Sequence, residues 1–216
     1  MKDGLSKSQR TKEALGESYR RLLSEKPPSK ITVVDIAEGC GVTVPTFYNH
    51  FKDKYSLIVW IYVNDSAKIM DKIGSNGYEW KDTILDAMRY FSDNRDFVFG
   101  ALAHVSGETQ FMSIMEEVNV GLLSDEIRKK LRPGEEIPED VSVLVKLYCL
   151  GTVRYVYGWL IDDSPMPPEK VADIFIDALP NRLRYYLMRI GVLVSGADRK
   201  ETWSADSRSI KYAARD

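Results

Sequence analysis

Apolar residues recur along this chain at intervals of three and four. No stretch of useful length alternates at the two-residue spacing of a half-buried strand. Leu15, Tyr19, Leu22 and Leu23 lie on one face of a helix over residues 6–25, which Pro27-Pro28 ends. Leu57, Ile58, Ile61, Tyr62 and Ile69 stripe a longer helix over 54–73, broken by Gly74-Ser75-Asn76-Gly77. Trp80, Ile84, Leu85, Met88 and Phe91 mark a helix over 80–92, and a short apolar segment covers 97–106. Residues 109–131 carry Phe111, Met112, Met115, Val118, Leu122, Leu123 and Ile127, up to Arg132-Pro133-Gly134. The pattern predicts an all-α fold.

Residues 138–162 break the one-face rule. Val141, Val145, Tyr148, Thr152, Tyr155 and Trp159 share a face, while Val143, Leu147, Leu150, Tyr157 and Ile161 occupy others. A helix apolar nearly all round is buried all round. One side can meet the chain's own core, and the other needs a partner. Gly151 and Gly158, seven apart, would let another helix come close. Pro167-Pro168-Glu169 opens a further helix with Val171, Ile174, Phe175, Ala178 and Leu179 on its buried side. Pro180 interrupts it, and Leu183, Tyr186, Leu187 and Ile190 form another amphipathic turn or two. Residues 195–216 are polar, with Trp203 and Ile210 as rare apolar positions, and read as a tail.

Residues 31–60, ITVVDIAEGCGVTVPTFYNHFKDKYSLIVW, write two short helices around a glycine turn. Thr32 is an N-cap with Asp35 three residues on, near a capping box. The helix that follows points Val34, Ile36 and Ala37 toward a core, and Gly39-Cys40-Gly41 stops it. Thr43 caps the second helix, whose Pro45 sits in the first turn, where no intrahelical N–H is needed. Phe47 and Phe51 anchor it from below, and Asp53 caps the next helix. Two short helices at a steep angle across a tight turn form a helix-turn-helix, whose second helix enters a DNA major groove.

Thr32, Ile36-Ala37, Gly41-Val42, Thr46-Phe47-Tyr48, His50-Phe51, Lys54 and Leu57 resemble the TetR/AcrR family of one-component transcription regulators. The run TFYNHFKDKYSLI resembles regulators of the dihydroxyacetone kinase type. The resemblance implies a helix-turn-helix domain over 1–53, a helical effector-binding and dimerisation domain over 54–194, and a homodimer through residues 138–179 as a four-helix bundle. It implies DNA-binding roles for Thr32, Thr43, Val44, Pro45, Thr46, Tyr48, Asn49, His50 and Lys54. Of these, Thr32 and Lys54 resemble phosphate-contacting positions, and Tyr48 and His50 resemble positions that contact the DNA backbone. Val44 and Pro45 stand where polar or basic side chains are common. They can touch a thymine methyl but cannot hydrogen-bond a base edge, so direct readout would rest on Thr43, Thr46 and Asn49, with DNA shape filling in. The family's effector pocket lies in the region of Trp80, Tyr90, Phe97, His104, Phe111, Met115 and Trp159, although on the residues alone each of these taken singly reads better as core. The implied function is a dimeric regulator that binds a double-stranded operator and is released as a repressor by a small molecule. Activation, and a partner protein as effector, stay open.

Charge refines this picture. The 216 residues carry a net charge of −2. Residues 1–56, however, hold ten Lys and Arg against seven acids, a net +3, which leaves −5 for the remainder. The positive end carries the helix-turn-helix. The opening MKDGLSKSQRTK is polar, no apolar run reaches membrane-spanning length, and Cys40 and Cys149 fit a reducing compartment, so cytoplasm is the expected location. His50 and His104 are the only histidines. His104 and Glu108 share a helical face without an evident third ligand, so no metal site is expected. Without a phosphate loop, nucleophile elbow or paired-carboxylate spacing, the chain reads as a non-enzyme needing no cofactor. Two other readings stay open on the residues alone: an interaction protein of the same fold that does not bind DNA, which the near-neutral recognition helix favours, and a small helical enzyme.

Overall fold

The computed structural model describes residues 6–98, 108–162 and 165–188. His104, Ile190, most of the 97–106 segment and the 195–216 tail lie outside them. The described residues are helical and contain no strand. Helix α1 (Lys7–Leu23) is capped by the Ser6 hydroxyl. After a single 3-10 turn come α2 (Val33–Gly39) and α3 (Val44–Tyr48), then α4 (Lys54–Met70), α5 (Trp80–Asp93), α6 (Glu108–Arg128), α7 (Glu139–Ile161), α8 (Pro168–Ala178) and α9 (Asn181–Leu187). Glycine is required where the chain reverses: Gly41, Gly74, Gly77 and Gly134 all have φ between 72° and 82°.

Packing follows the apolar stripes. α1 lies on α2 and α4, α2 on α3, and α4 runs on to meet α5 and α6. In the body α5 packs along α8, and α6 along α7. Leu15, Tyr19, Ile36, Phe47 and Leu57 at one end join Phe111, Ile127, Val145 and Leu183 at the other in one continuous core.

The α1–α2 crossing is unusually close. The Ser18 hydroxyl donates to the Ile36 carbonyl at 2.9 Å, and Arg21 donates to the Gly39 carbonyl. A Cβ on Gly39 would stand 2.3 Å from Ser18 Oγ and 2.9 Å from Arg21 Nη2. Gly39 therefore sets the approach, together with the small Ala37, which is fully buried.

Several inward assignments are corrected. Val34 is 48% exposed. Two residues apart on an α-helix is a turn of about 200°, so Val34 cannot share the face that buries Ile36. On α8, Ile174 and Ala178 face outward because the buried row runs through Val171, Ala172, Phe175 and Ile176, toward α5. On α7, Tyr155 is exposed, although its ring edge rests against Phe175 with centroids 5.6 Å apart. α3 is only five residues long, and Asn49 is its C-cap.

Gly39→Ala is expected to destabilise the protein by about 1–3 kcal/mol through overpacking at this crossing. Combined with Ser18→Ala it should cost less than the sum of the two single changes, because the clashing hydroxyl is gone. Urea unfolding of the four proteins tests this, and simple additivity would mean that α1 and α2 separate freely there.

Candidate nucleic-acid interface and internal cavity

The helix-turn-helix is held by side chains already spent on its own backbone. Thr32 Oγ1 accepts from the Asp35 N–H at 3.2 Å, and the Asp35 carboxylate accepts from the Thr32 N–H and hydroxyl, both at 2.7 Å. Lys26 Nζ sits 2.7 Å from the other Asp35 oxygen. The Lys26 and Thr32 bonds together hold the Asp35 carboxyl well below the usual carboxylate range. At α3, Thr43 Oγ1 accepts from the Thr46 N–H at 3.2 Å and lies 2.9 Å from Thr46 Oγ1. Asp53 caps α4 through the Ser56 N–H at 2.7 Å.

Phe47 fixes which side of α3 looks out. It is fully buried, packs against Phe51 at 5.8 Å, and Phe51 packs in turn on Trp60 of α4 at 5.8 Å. Thr43, Pro45, Tyr48 and Asn49 are exposed, and Val44, Thr46 and His50 are partly so. His50 Nδ1 is 3.5 Å from the Ser8 hydroxyl at the start of α1. The Asn49 carboxamide makes no hydrogen bond among the described residues. Exposed Val34 and Tyr48 add apolar surface to the same motif.

Lys54 is placed differently from an outward-facing phosphate ligand. Its Nζ donates to the carbonyls of Ile31 at 3.0 Å and Pro28 at 3.2 Å, and burial lowers its pKa. Two of its three N–H bonds thus clamp the 28–31 turn onto the start of α4. This role, like those of Lys26 and Ser18, had no signal in the sequence, because it depends on chain segments that meet only after folding.

Within the body lies a cavity of about 100 Å³. Its walls come from α4 (Tyr62, Ser66, Ile69), α5 (Trp80, Ala87, Tyr90, Phe91), α6 (Met115, Asn119), α7 (Tyr148, Cys149, Thr152) and α8 (Phe175). Of the pocket residues expected from sequence, Trp80, Tyr90 and Met115 line it. Phe111 stands behind it, edge-on to Tyr62 with centroids 5.8 Å apart. Trp159 is turned away, its indole N–H donating to the Met166 carbonyl at 2.7 Å. Phe97 faces α1 instead, edge-on to Tyr19 and beneath the Arg20 guanidinium at 5.3 Å.

Arg20 is the tie between the two regions. From α1 it pairs with Asp65 of α4 and donates to Asn94 Oδ1 at 3.4 Å. Burial pushes the Tyr90 hydroxyl well above its ordinary pKa, and the nearby Asp65 charge adds to that shift. Among the described residues no cluster of three His, Cys, Asp or Glu side chains is placed to hold a metal. None of the described helices is long and apolar enough to cross a membrane.

Comparison with known proteins follows this division. Residues 19–59 match the model of the bacterial regulatory proteins of the tetR family, and residues 78–181 match that of a transcriptional regulator C-terminal region, together more than half of the chain. The HTH-type dhaKLM operon transcriptional activator DhaS of Lactococcus lactis is 29% identical over 93 residues. That match covers 43% of this chain and 49% of the relative, so the chain spans about half of that relative's length. The solved structure of a dihydroxyacetone kinase operon activator, DhaS, superposes with a TM-score of 0.61 at 20% identity, covering 82% of this chain and 98% of that one. A TetR transcriptional regulator from Streptococcus agalactiae superposes with a TM-score of 0.53 at 21% identity, covering 80% and 94%. These likenesses concern the fold.

Burial pushes the Cys149 thiol up to about 12. At pH 8 only about one molecule in ten thousand then carries the thiolate. Cys149 is therefore expected to resist a disulfide reagent at pH 8 until urea unfolds the chain, and to gain reactivity only toward pH 12. Rapid labelling of Cys149 in the native protein would mean that the cavity opens freely to solvent.

Proposed function

The chain belongs to the TetR family of bacterial regulatory proteins, and on that footing we propose that it is a dimeric operator-binding regulator whose DNA affinity is set by a molecule bound inside its body. The observation that carries this is the outward face of α3. Thr43, Thr46 and Asn49 offer hydrogen-bonding groups there, on a short helix that cannot rotate because Phe47 and Phe51 are locked into the core. Tyr48 and His50 flank them at the rim and serve the DNA backbone, Val44 and Pro45 offer apolar contact to thymine methyl groups, and Thr32 caps the supporting helix. The domain division is 1–53 for the reader and 54–194 for the body, with α4 running between them.

Dimerisation follows from what is left uncovered. Val143, Leu147, Leu150 and Ile161 of α7 and Ile174 of α8 are exposed in one chain. A Cβ at Gly151 or Gly158 would meet nothing within 4 Å. An apolar surface of this extent, with room for close helix approach, fits a second copy of α7 and α8 in a four-helix bundle. The cavity touches α4, whose first turn clamps the reader through Lys54. A ligand that favours one setting of α4 against α5 therefore changes the separation of the two recognition helices, and it weakens DNA binding only by its preference between the two settings. Release from the operator makes the protein a repressor. A second reading, activation, is favoured by one observation: the Lactococcus lactis relative carries the name of a transcriptional activator.

Two measurements test the proposal. Asn49→Ala is expected to cost about 1–3 kcal/mol on operator DNA and little on random duplex, read by salt titration on both. Lys54→Ala should weaken both duplexes alike and lower folding stability by about 1–2 kcal/mol, since two carbonyls lose their donor. Equal losses on both duplexes for Asn49→Ala would mean a different docking of α3. In sedimentation, the wild-type protein at micromolar concentration should be a dimer, and Gly158→Leu a folded monomer. A wild-type monomer would remove the four-helix interface.

A further inference from the structure

Most polar groups of the internal cavity are already satisfied, and the few that are not share one character. The hydroxyls of Thr83, Thr152 and Tyr148 donate to the carbonyls of Glu79, Tyr148 and Phe175 at 3.2, 2.9 and 2.9 Å. The Asn119 carboxamide oxygen accepts the Tyr62 hydroxyl at 3.3 Å. That bond fixes the orientation of the amide and leaves its NH₂ without a partner among the described residues. Ser66, one turn beyond Tyr62 on α4, makes no hydrogen bond among them either. The Trp80 indole N–H, in a residue 5% exposed, is also partnerless. The buried Tyr90 hydroxyl, on the same helix as Trp80, has no hydrogen-bond partner among them as well, so the spare groups come from three helices: two N–H donors and two hydroxyls.

The described walls of the cavity are also uncharged. Among the described residues, no Lys, Arg, Asp or Glu lines the cavity. Its one thiol, Cys149, is kept neutral by burial. An ion placed there would lose its hydration with no counter-ion in return. The size is that of about one small ring, judged against an apolar cavity on the order of 150 Å³ that accepts benzene. Met70, Met88 and Met115 in the walls can reshape around a ring without a large penalty.

We propose that this cavity takes a compact, uncharged, single-ring ligand carrying a hydrogen-bond acceptor, seated on the Asn119 amide and the Ser66 hydroxyl. This rests on the reading of the cavity as the effector site. It makes phosphorylated or carboxylated metabolites poor ligands. It also assigns Asn119 and Ser66 as the residues that select polar from purely apolar rings.

Isothermal titration of the full-length protein at pH 7.5 with four ring compounds of similar size tests this: toluene, acetophenone, benzoate and benzylamine. Acetophenone is expected to bind about tenfold tighter than toluene, the difference that one made hydrogen bond supplies. Benzoate and benzylammonium should bind at least about tenfold more weakly than toluene. Ser66→Ala with Asn119→Leu should erase the acetophenone preference, read as the ratio of acetophenone to toluene affinity in the same variant. Ser66→Ala alone, whose small change keeps the fold, should reduce the preference. The ligand class is overturned if either ion matches acetophenone, if toluene equals acetophenone in the wild type, or if the preference survives in the double variant. If none of the four binds, the cavity is not an effector site and the ligand class falls with it. Operator binding by the unliganded protein, measured separately, still decides whether the chain is a DNA-binding regulator.

Discussion

Of the seventeen residues of α4, nine are buried, and they point in every direction around the helix. Leu57 and Ile58 are buried in the shared core, Trp60 meets Phe51 edge-on, Ile61 lies against Gly16 of α1, and Tyr62 meets Phe91 and Phe111 in the body. A surface helix buries one stripe and can slide over it. α4 is held on all sides, so it moves only if its neighbours move with it. Three of the fastenings between reader and body start from it: the Lys54 clamp on the 28–31 turn, the Phe47–Phe51–Trp60 ring contacts and the Arg20–Asp65 ion pair.

Buried and half-buried polar bonds close other joints. Ser18 to the Ile36 carbonyl locks α1 to α2, Tyr62 to Asn119 links α4 to α6, and Tyr148 to the Phe175 carbonyl links α7 to α8. Each crosses between helices, so it specifies which helix meets which more than it adds stability, a net bond contributing only about 1 kcal/mol. Against these stand the hydroxyls of Tyr19 and Tyr90 and the indole N–H groups of Trp60 and Trp80, buried without partners among the described residues. Such orphans cost free energy, and the four are spread over α1 (Tyr19), α4 (Trp60) and α5 (Trp80 and Tyr90).

The charge distribution acts on a different scale. Exposed pairs such as Arg89–Glu169 and Lys81–Asp173 stitch α5 to α8 at the surface, where solvent leaves each worth little. Single ion pairs do not set the register of those helices. The interlocking of Trp80, Met88, Val171 and Phe175 does, through apolar area removed from water.

The helix-turn-helix was legible in the sequence because its determinants are local. Thr32, Thr43 and Asp53 each cap the helix that follows them, Gly41 takes the positive φ that its turn requires, and Phe47 lies on the face that the helical period assigns to it. The all-α class and the second apolar face of α7 were legible for the same reason, since periodicity is a property of neighbours in the chain. What the tertiary structure decided was every contact between residues distant in sequence. Lys54 turned inward, because the carbonyls that capture it lie 23 and 26 residues earlier. Phe97, Phe111 and Trp159 left the cavity and Tyr62, Ser66 and Asn119 entered it, because a helical period tells which side chains share a face and not which helix that face will meet. The apolar pattern of one helix carries no information about the azimuth of its neighbour. That angle is set only when Gly39, Ser18 and the rings around α4 are packed together.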